Sequence, residues 1–146
     1  MKNIFICFFL LFGFSFSSSL NLNRDNTLGV VIDQKNQLMW VDKLEILKKK
    51  MSHQDATKFC ENLQFAGYNN WRIPKIEEYL LIVDKTNQRT NTNRAFKYKI
   101  KSGFWAKKAH WRTLWFYADY IYFVSGTAYY DSRHKLKYVR CVRDLK

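Results

Sequence analysis

The strongest chemical signal in the chain is a long basic segment interleaved with aromatic residues. Residues 85–118 contain nine lysines and arginines and no acidic residue. The aromatic residues that alternate with these charges are Trp105, Trp111, Trp115, Phe116 and Tyr117. Positive charge attracts anionic polymers, and aromatic ring faces contact sugars or bases. The segment therefore predicts a binding surface for an anionic polymer.

We predict that ligand contacts come from this segment and from a second basic run further along the chain. The candidate ligand-binding residues are Lys97, Lys99, Lys101, Lys107, Lys108, Trp111, Arg112, Trp115, Arg133 and Lys135. The alternative is a merely solvated surface, because the whole chain carries 25 lysines and arginines against 12 acidic residues. Aromatic residues on strands usually belong to the core, so Trp40, Trp71 and Trp105 are expected inside. Trp111 and Trp115 are the two tryptophans expected at the surface.

Residues that could perform catalysis or hold a metal form no recognisable site. The histidines His53, His110 and His134 do not stand at metal-ligand spacing, and we expect all three on the surface. No Ser-His-Asp set, phosphate-binding loop or partnered carboxylate pair can be located. A calcium site needs a cluster of carboxylate and amide oxygens, and the basic segment contains no acidic residue. We therefore expect no enzymatic activity, no cofactor and no metal.

Two cysteines, Cys60 and Cys141, lie beyond the N-terminal segment. In an oxidising compartment an even pair predicts one disulfide. It would close a loop of about 80 residues, worth roughly 4–5 kcal/mol in the chain-entropy account. Two buried free thiols are the alternative.

The N-terminus has the pattern of a secretory signal peptide. Lys2 precedes an apolar run over residues 4–16, and small residues follow. The run, about 13 residues, is short for a hydrocarbon core of roughly 30 Å, although an uncleaved anchor is the alternative. We predict a signal peptide over residues 1–19 and a single domain over residues 20–146. The protein is expected to be exported to the periplasm or cell surface, with no membrane span after cleavage.

Hydrophobic periodicity predicts an α+β fold in which two helices pack on an antiparallel sheet. The first helix is expected to begin after the cap residue Ser52 and to end at Gly67, with Cys60 on its apolar face. The second is expected to begin at Pro74, with an inner stripe formed by Ile76, Tyr79, Leu80 and Val83. A long loop is expected over residues 84–102. The predicted strands cover residues 28–33, 38–41, 104–106, 120–124, 127–130 and 136–142.

Several short motifs follow one another in an order typical of a known family. They are Leu38-Met39-Trp40, Phe59-Cys60, Gly67 to Pro74 with Glu77-Glu78, Phe104-Trp105, Val124-Ser125-Gly126 and Val139 to Arg143. This combination, over residues 27–143, resembles the Lcl C-terminal domain family, formerly a domain of unknown function numbered 1566. The resemblance implies a twisted C-type-lectin-like fold with long loops, related to that of formylglycine-generating enzymes. It also implies a disulfide from the first helix to the last strand, and exported or surface proteins, some associated with adhesion to acidic glycans.

The chain departs from the family pattern at three places. Asn70 stands where an aspartate is usual, and Lys75 replaces a threonine that would cap the second helix. Ala106-Lys107 replaces two serines, which removes two hydroxyls from that strand. A family site at this strand would be altered here.

The function predicted from these features is an exported, non-catalytic binding module for an acidic glycan or another anionic envelope polymer. The alternative is a protein-interaction subunit of a bacterial envelope assembly that makes contact through residues 111–122. An enzyme related to the formylglycine-generating group would need a deep pocket lined by titratable groups. Nucleic acid is not an expected partner, because the protein is predicted to leave the cytoplasm.

Overall fold

Within the described residues, three strands come first, three short α-helices follow, and four further strands complete the order. The computed structural model describes residues 22–146. The strands are β1 (Leu22–Asp25), β2 (Val30–Asp33), β3 (Leu38–Val41), β4 (Gly103–Ala109), β5 (Tyr117–Tyr122), β6 (Thr127–Ser132) and β7 (Val142–Asp144). The helices are α1 (Leu44–Leu47), α2 (His53–Glu61) and α3 (Ile76–Leu81). The predicted signal peptide lies outside the described residues. Within residues 22–146, no helix is long and apolar enough to cross a membrane.

The strands form two antiparallel sheets, where the sequence predicted one. The first has the order β1-β2-β3-β7 and the second the order β4-β5-β6. A single bridge between Phe104 and Tyr138 connects β4 to the segment before β7. The predicted hairpin is confirmed by the pairing of Val30 with Val41 across β2 and β3. An α+β fold with helices on antiparallel sheets is therefore confirmed, although it is divided into two sheets.

The helices are shorter than predicted and number three. Ser52 caps α2 as expected, since its hydroxyl accepts a hydrogen bond from the backbone N–H of Asp55. However, α2 ends at Glu61 and not at Gly67. Gly67 instead has a φ of +81° in a tight turn, a conformation that glycine adopts without steric cost. In α3, Leu80 is 47% exposed, so its predicted place in the inner stripe is wrong.

The C-terminal segment also differs from its prediction. A strand was expected over residues 136–142, but β7 begins at Val142. Lys137 makes only an isolated bridge to Met51, and Tyr138 pairs in the same way with Phe104. β1 was not predicted, because its sequence Leu-Asn-Arg-Asp has no apolar alternation.

Two hydrophobic clusters form the core, and a disulfide lies in the second. The first includes Trp40, Tyr79 and Phe104, and the second includes Trp71 and Trp105. Cys60 on α2 bonds to Cys141, the residue before β7, with an S–S distance of 2.05 Å. The predicted disulfide is confirmed. Since residues 22–146 hold these seven strands, both clusters and the disulfide, we treat them as one folding unit.

A buried ion pair holds the irregular segment between α3 and β4 against the first sheet. Arg140 Nη1 donates to Asp42 Oδ1 at 3.0 Å, and both side chains are almost fully buried. The same carboxylate accepts hydrogen bonds from the backbone N–H groups of Lys97 and Tyr98. Arg24 adds a second ion pair to Asp42 at 2.7 Å. Burial acts to raise the Asp42 pKa, but these partners outweigh it and hold the pKa below its ordinary value.

Candidate functional site

Part of the basic segment lies at the outer end of β4, where it lines a cleft on the surface. Trp105 pairs with Tyr120 and Ala109 pairs with Ala118, so β4 uses more residues than β5 over the same stretch. This mismatch is a β-bulge, and bulges redirect side chains away from the regular sheet alternation. Within it, the backbone N–H of Lys107 donates to the carbonyl of Pro74 at 2.7 Å instead of to β5. The bulge therefore joins β4 to the residues that begin α3.

A basic cleft lies between this bulge and the start of α3. It has a volume of about 380 Å³ and is lined by Lys75, Ile76, Glu77, Lys107, Lys108 and Ala109. The three lysines are exposed, and Glu77 is the one carboxylate in the lining. Ile76 and Ala109 supply apolar surface. Such a lining suits a ligand that carries more than one negative charge on a partly apolar body.

The connection from β4 to β5 carries a second feature, which we name the apolar tip. It consists of Trp111, Leu114, Trp115 and Phe116, which are 66%, 90%, 56% and 47% exposed. The guanidinium of Arg112 lies 5.6 Å from the ring centroid of Trp111. The tip thus presents four large apolar side chains to solvent. In sequence it closely follows the cleft residues Lys107, Lys108 and Ala109.

The backbone of the tip is hydrogen-bonded and partly left-handed. Leu114 and Trp115 have φ values of +50° and +62°. Bulky residues rarely adopt this region, which costs roughly 1 kcal/mol or more for each residue. The conformation is held by bonds from the N–H of Leu114 to the carbonyl of Trp111, from Trp115 to His110, and from Phe116 to Thr113. The tip is therefore preformed.

Arg133 anchors the tip from beneath. Its Nη1 donates to the Trp115 carbonyl at 3.1 Å, and its backbone N–H donates to the Phe116 carbonyl at 2.9 Å. Its Nε donates to His53 Nδ1 at 3.2 Å. Arg133 was predicted as a ligand contact, and the structure places it half-buried in a supporting position.

His53 is buried, so the expectation that it lies on the surface is wrong. Its Nε2 lies 2.9 Å from the Ala106 carbonyl, and its ring packs edge-on against Trp105. A carbonyl can only accept, so Nε2 carries the proton and Nδ1 accepts from Arg133. Burial lowers the His53 pKa below its ordinary value, which keeps the ring neutral at pH 7.

A smaller cleft of about 310 Å³ lies beside the tip and is lined by His110, Thr113, Tyr117 and Tyr130. His110 Nε2 lies 2.6 Å from Asp119 Oδ1. The Thr113 hydroxyl donates to the His110 carbonyl and so serves the turn itself. The imidazole and carboxylate form a polar pair beside aromatic rings, which can orient a hydroxyl-bearing ligand.

The predicted ligand residues do not form a single loop. Lys107 and Lys108 line the basic cleft, while Trp111, Arg112 and Trp115 belong to the connection that bears the tip. Lys135 is exposed and pairs with Asp131 at 2.9 Å. Three predicted residues lie instead on the irregular segment before β4, and they are Lys97, Lys99 and Lys101.

Sequence reasoning missed two contributors to this surface. Lys75 enters the cleft because the bulge brings β4 against the start of α3, a contact between residues far apart in sequence. Leu114 lay within the segment 111–122 that the alternative function used, but its 90% exposure was not predicted. Neither contact has a local sequence signal, although Lys75 had stood out as a departure from the family pattern.

The family motifs have structural roles in the described residues. Arg72 makes a two-pronged contact with Glu78, at 2.8 and 2.7 Å, and reaches Asp144 at 2.9 Å. Asn70 Oδ1 accepts from Arg143 Nε at 2.8 Å, so the asparagine keeps a contact in which an aspartate would form an ion pair.

A carboxylate in the first turn of α3 compensates for the absence of a threonine cap at Lys75. Lys75 makes no side-chain cap hydrogen bond. Instead, Glu78 Oε2 accepts from the Lys75 backbone N–H at 2.8 Å. The carboxylate supplies one half of a capping box.

A third cleft, of about 500 Å³, lies over the turn between α2 and the Trp71 motif. Its lining residues are Gln64, Phe65, Ala66, Gly67, Tyr68 and Asn69. Arg143 lies over the Tyr68 ring at 3.9 Å from its centroid. Within residues 22–146 no group of three or more His, Cys, Asp or Glu residues could hold a metal ion.

Comparison with known proteins identifies a family. The profile of the Lcl C-terminal domain matches residues 29–143, which is most of the chain. No curated protein matches the sequence. The chain belongs to the Lcl C-terminal domain family.

Proposed function

We propose that this protein is a non-catalytic binding module whose basic cleft recognises an acidic polysaccharide. The observation that carries the proposal is the β4 bulge, which brings Lys107 and Lys108 opposite Lys75. Three ammonium groups around one cleft suit the repeated carboxylate or sulfate groups of such a polymer.

The neighbouring aromatic residues support a sugar ligand. Trp111 is exposed next to the cleft in sequence, and Arg112 stacks on its ring. An exposed indole can pack on the apolar face of a sugar while the guanidinium binds a nearby anion. Lys107 stands where the family pattern has a serine, so this chain adds charge at a position that is usually neutral.

The compartment and the finer fold belong to the same proposal. We propose that residues 1–19 direct export to the periplasm or cell surface, where a disulfide such as Cys60–Cys141 persists. We also propose a C-type-lectin-like fold. The link from α2 to the segment before β7 supports it, as does the long irregular stretch between α3 and β4.

A second candidate function is that of a protein-interaction subunit of an envelope assembly. The exposed apolar tip favours it, since large apolar groups on a surface often mark a contact site. The experiments on the apolar tip test this second function as well.

The proposal is tested by titrating residues 22–146 with heparin, a sulfated polysaccharide rich in uronic acid, at about 50 and about 150 mM salt. The K107S/K108S variant is compared with K48S/K49S, which removes the same charge from two exposed lysines after α1. We expect salt-sensitive binding that weakens about tenfold or more in K107S/K108S and little in K48S/K49S. Equal losses in both variants, or binding indifferent to salt, would show that the cleft is not the site.

A further inference from the structure

Polysaccharide binding does not explain Leu114, the most exposed residue of the apolar tip. Leu114 is more exposed than any other large apolar side chain in the described residues. A leucine offers a sugar neither a planar ring nor a hydrogen bond. Transfer of a leucine side chain from water to an apolar environment is favourable by about 2 kcal/mol. The exposure of Leu114 therefore points to a partner outside the chain.

The segment that bears the tip carries charges of one sign. No acidic residue occurs over residues 85–118, and Arg112 lies within the tip turn itself. Two carboxylates on the neighbouring strands are paired, Asp119 with His110 and Asp131 with Lys135 and Lys137. The tip therefore carries apolar side chains on a positively charged surround.

This combination matches an anionic lipid surface. Leucine and phenylalanine side chains favour the acyl region, while tryptophan favours the level of the headgroups. Lysine and arginine beside them attract anionic lipids, with about 1 kcal/mol for each charge near the surface. A preformed turn adds little ordering cost when it inserts.

A protein partner fits the tip less well. Stable protein interfaces involve about 20–30 residues on each side, and their centres are depleted in lysine. The tip has four apolar side chains on one turn, and Arg112 lies within that turn. The tip is too small for a stable protein interface, and its apolar side chains suit shallow insertion into a lipid surface.

We propose that the apolar tip inserts into the interface of an anionic bilayer, in addition to polysaccharide binding at the basic cleft. Lys75, Lys107 and Lys108 would serve the polysaccharide alone, and Leu114 and Phe116 would serve the lipid alone. Trp111 and Arg112 lie between the two sites and would be shared. Leu114 and Phe116 would enter the acyl region, while Trp115 would lie at the headgroup level and Arg112 would contact headgroups.

The tryptophans of the chain allow a direct test. Of its five tryptophans, Trp40, Trp71 and Trp105 are buried, with exposures of 0%, 2% and 0%. Trp111 and Trp115 are the two at the tip. Quenching by lipids that carry bromine on their acyl chains therefore reports on the tip.

The experiment mixes residues 22–146 with vesicles of phosphatidylcholine and phosphatidylglycerol that contain brominated lipid. We expect quenching and a blue shift with these vesicles, and much less with phosphatidylcholine alone. The W111F/W115F variant should lose the quenching signal. The L114N variant should partition about tenfold more weakly, as expected for one leucine side chain left in water.

Asparagine is chosen because it tolerates a positive φ, so L114N keeps the backbone of the tip. The matched control is L44N, since Leu44 on α1 is also exposed, at 42%, and should not affect partitioning. Unchanged heparin binding by L114N would separate this proposal from that of the cleft.

Absence of quenching with anionic vesicles would overturn the proposal, as would equal partitioning of L114N and wild type. Self-association without vesicles that L114N abolishes would identify the tip as a protein contact instead. Loss of heparin binding in L114N, without lipid quenching in wild type, would assign the tip to the polysaccharide site.

Discussion

Arg140 and the apolar tip are opposite exceptions to the usual distribution of polar and apolar groups. The Arg140 side chain is 1% exposed, whereas Leu114 is 90% exposed. Arg140 finds its partners within the molecule, where it donates to the carbonyls of Val41 and Tyr98 as well as to Asp42. Its guanidinium also lies 4.6 Å from the Phe96 ring centroid.

The tip has no such internal compensation. Its backbone is hydrogen-bonded, but its large side chains face solvent. The contrast shows that an unusual residue whose charge is paired inside the molecule is part of the architecture, even though the Arg140 Nε itself has no hydrogen-bond partner in the described residues. A large apolar residue that faces solvent points to a partner outside the chain.

The largest effect we expect comes from removing the disulfide that supports the core around Arg140. Replacement of both disulfide cysteines, in C60A/C141A, should lower the free energy of unfolding by about 4 kcal/mol, because the unfolded chain loses a long closed loop. Urea denaturation of residues 22–146 measures the change. A loss below about 1 kcal/mol would show that the two clusters do not need the covalent link.

The next effect tests the internal compensation of Arg140. Asp42→Asn removes its counter-charge and should cost about 3 kcal/mol or more, the usual penalty for a buried ion left unpaired. Glu45→Gln, on the exposed first turn of α1, is the control and should change stability by less than about 0.5 kcal/mol. Similar losses in the two variants would contradict the structural role of this pair.

The same pair predicts a dependence on acid. The Asp42 pKa lies below its ordinary value, so its contribution to stability is full above about pH 4. It should be lost as the pH falls through the pKa of the folded state. In Asp42→Asn this part of the acid transition should disappear.

A smaller effect is the pH dependence of stability that arises from His53, the buried residue that contacts the tip anchor Arg133. Its lowered pKa means that the unfolded chain binds a proton below about pH 6.5 while the folded protein does not. Stability should therefore fall as the pH drops from 7 to 5. His53→Gln keeps a donor for Ala106 and an acceptor for Arg133, so it should lie within about 1 kcal/mol of wild type at pH 7 and flatten this slope. An unchanged slope would mean that another group is responsible.

The smallest effect concerns stability at the tip itself. Leu114→Asn removes an exposed side chain from a left-handed position, so the free energy of unfolding should change by less than about 0.5 kcal/mol. Thermal unfolding provides the check. A large loss would show that Leu114 packs within the fold, which would remove the contrast with Arg140.

The sequence predicted what depends on local patterns and chemistry. The β2–β3 hairpin, the Ser52 cap and the disulfide follow from alternation, capping and cysteine number. The basic cleft could not be predicted, since it arises from a bulge that places Lys107 against Pro74. His53 was misplaced because its burial depends on contacts with Ala106 and Arg133, which are distant in the chain.

The most direct test of the account compares heparin titrations of K107S/K108S and L114N/W115N. Our account predicts that the lysine variant loses most of its affinity and that the tip variant binds as wild type does. The reverse pattern, with affinity lost in the tip variant and kept in the lysine variant, would contradict the assignment of the basic cleft as the polysaccharide site.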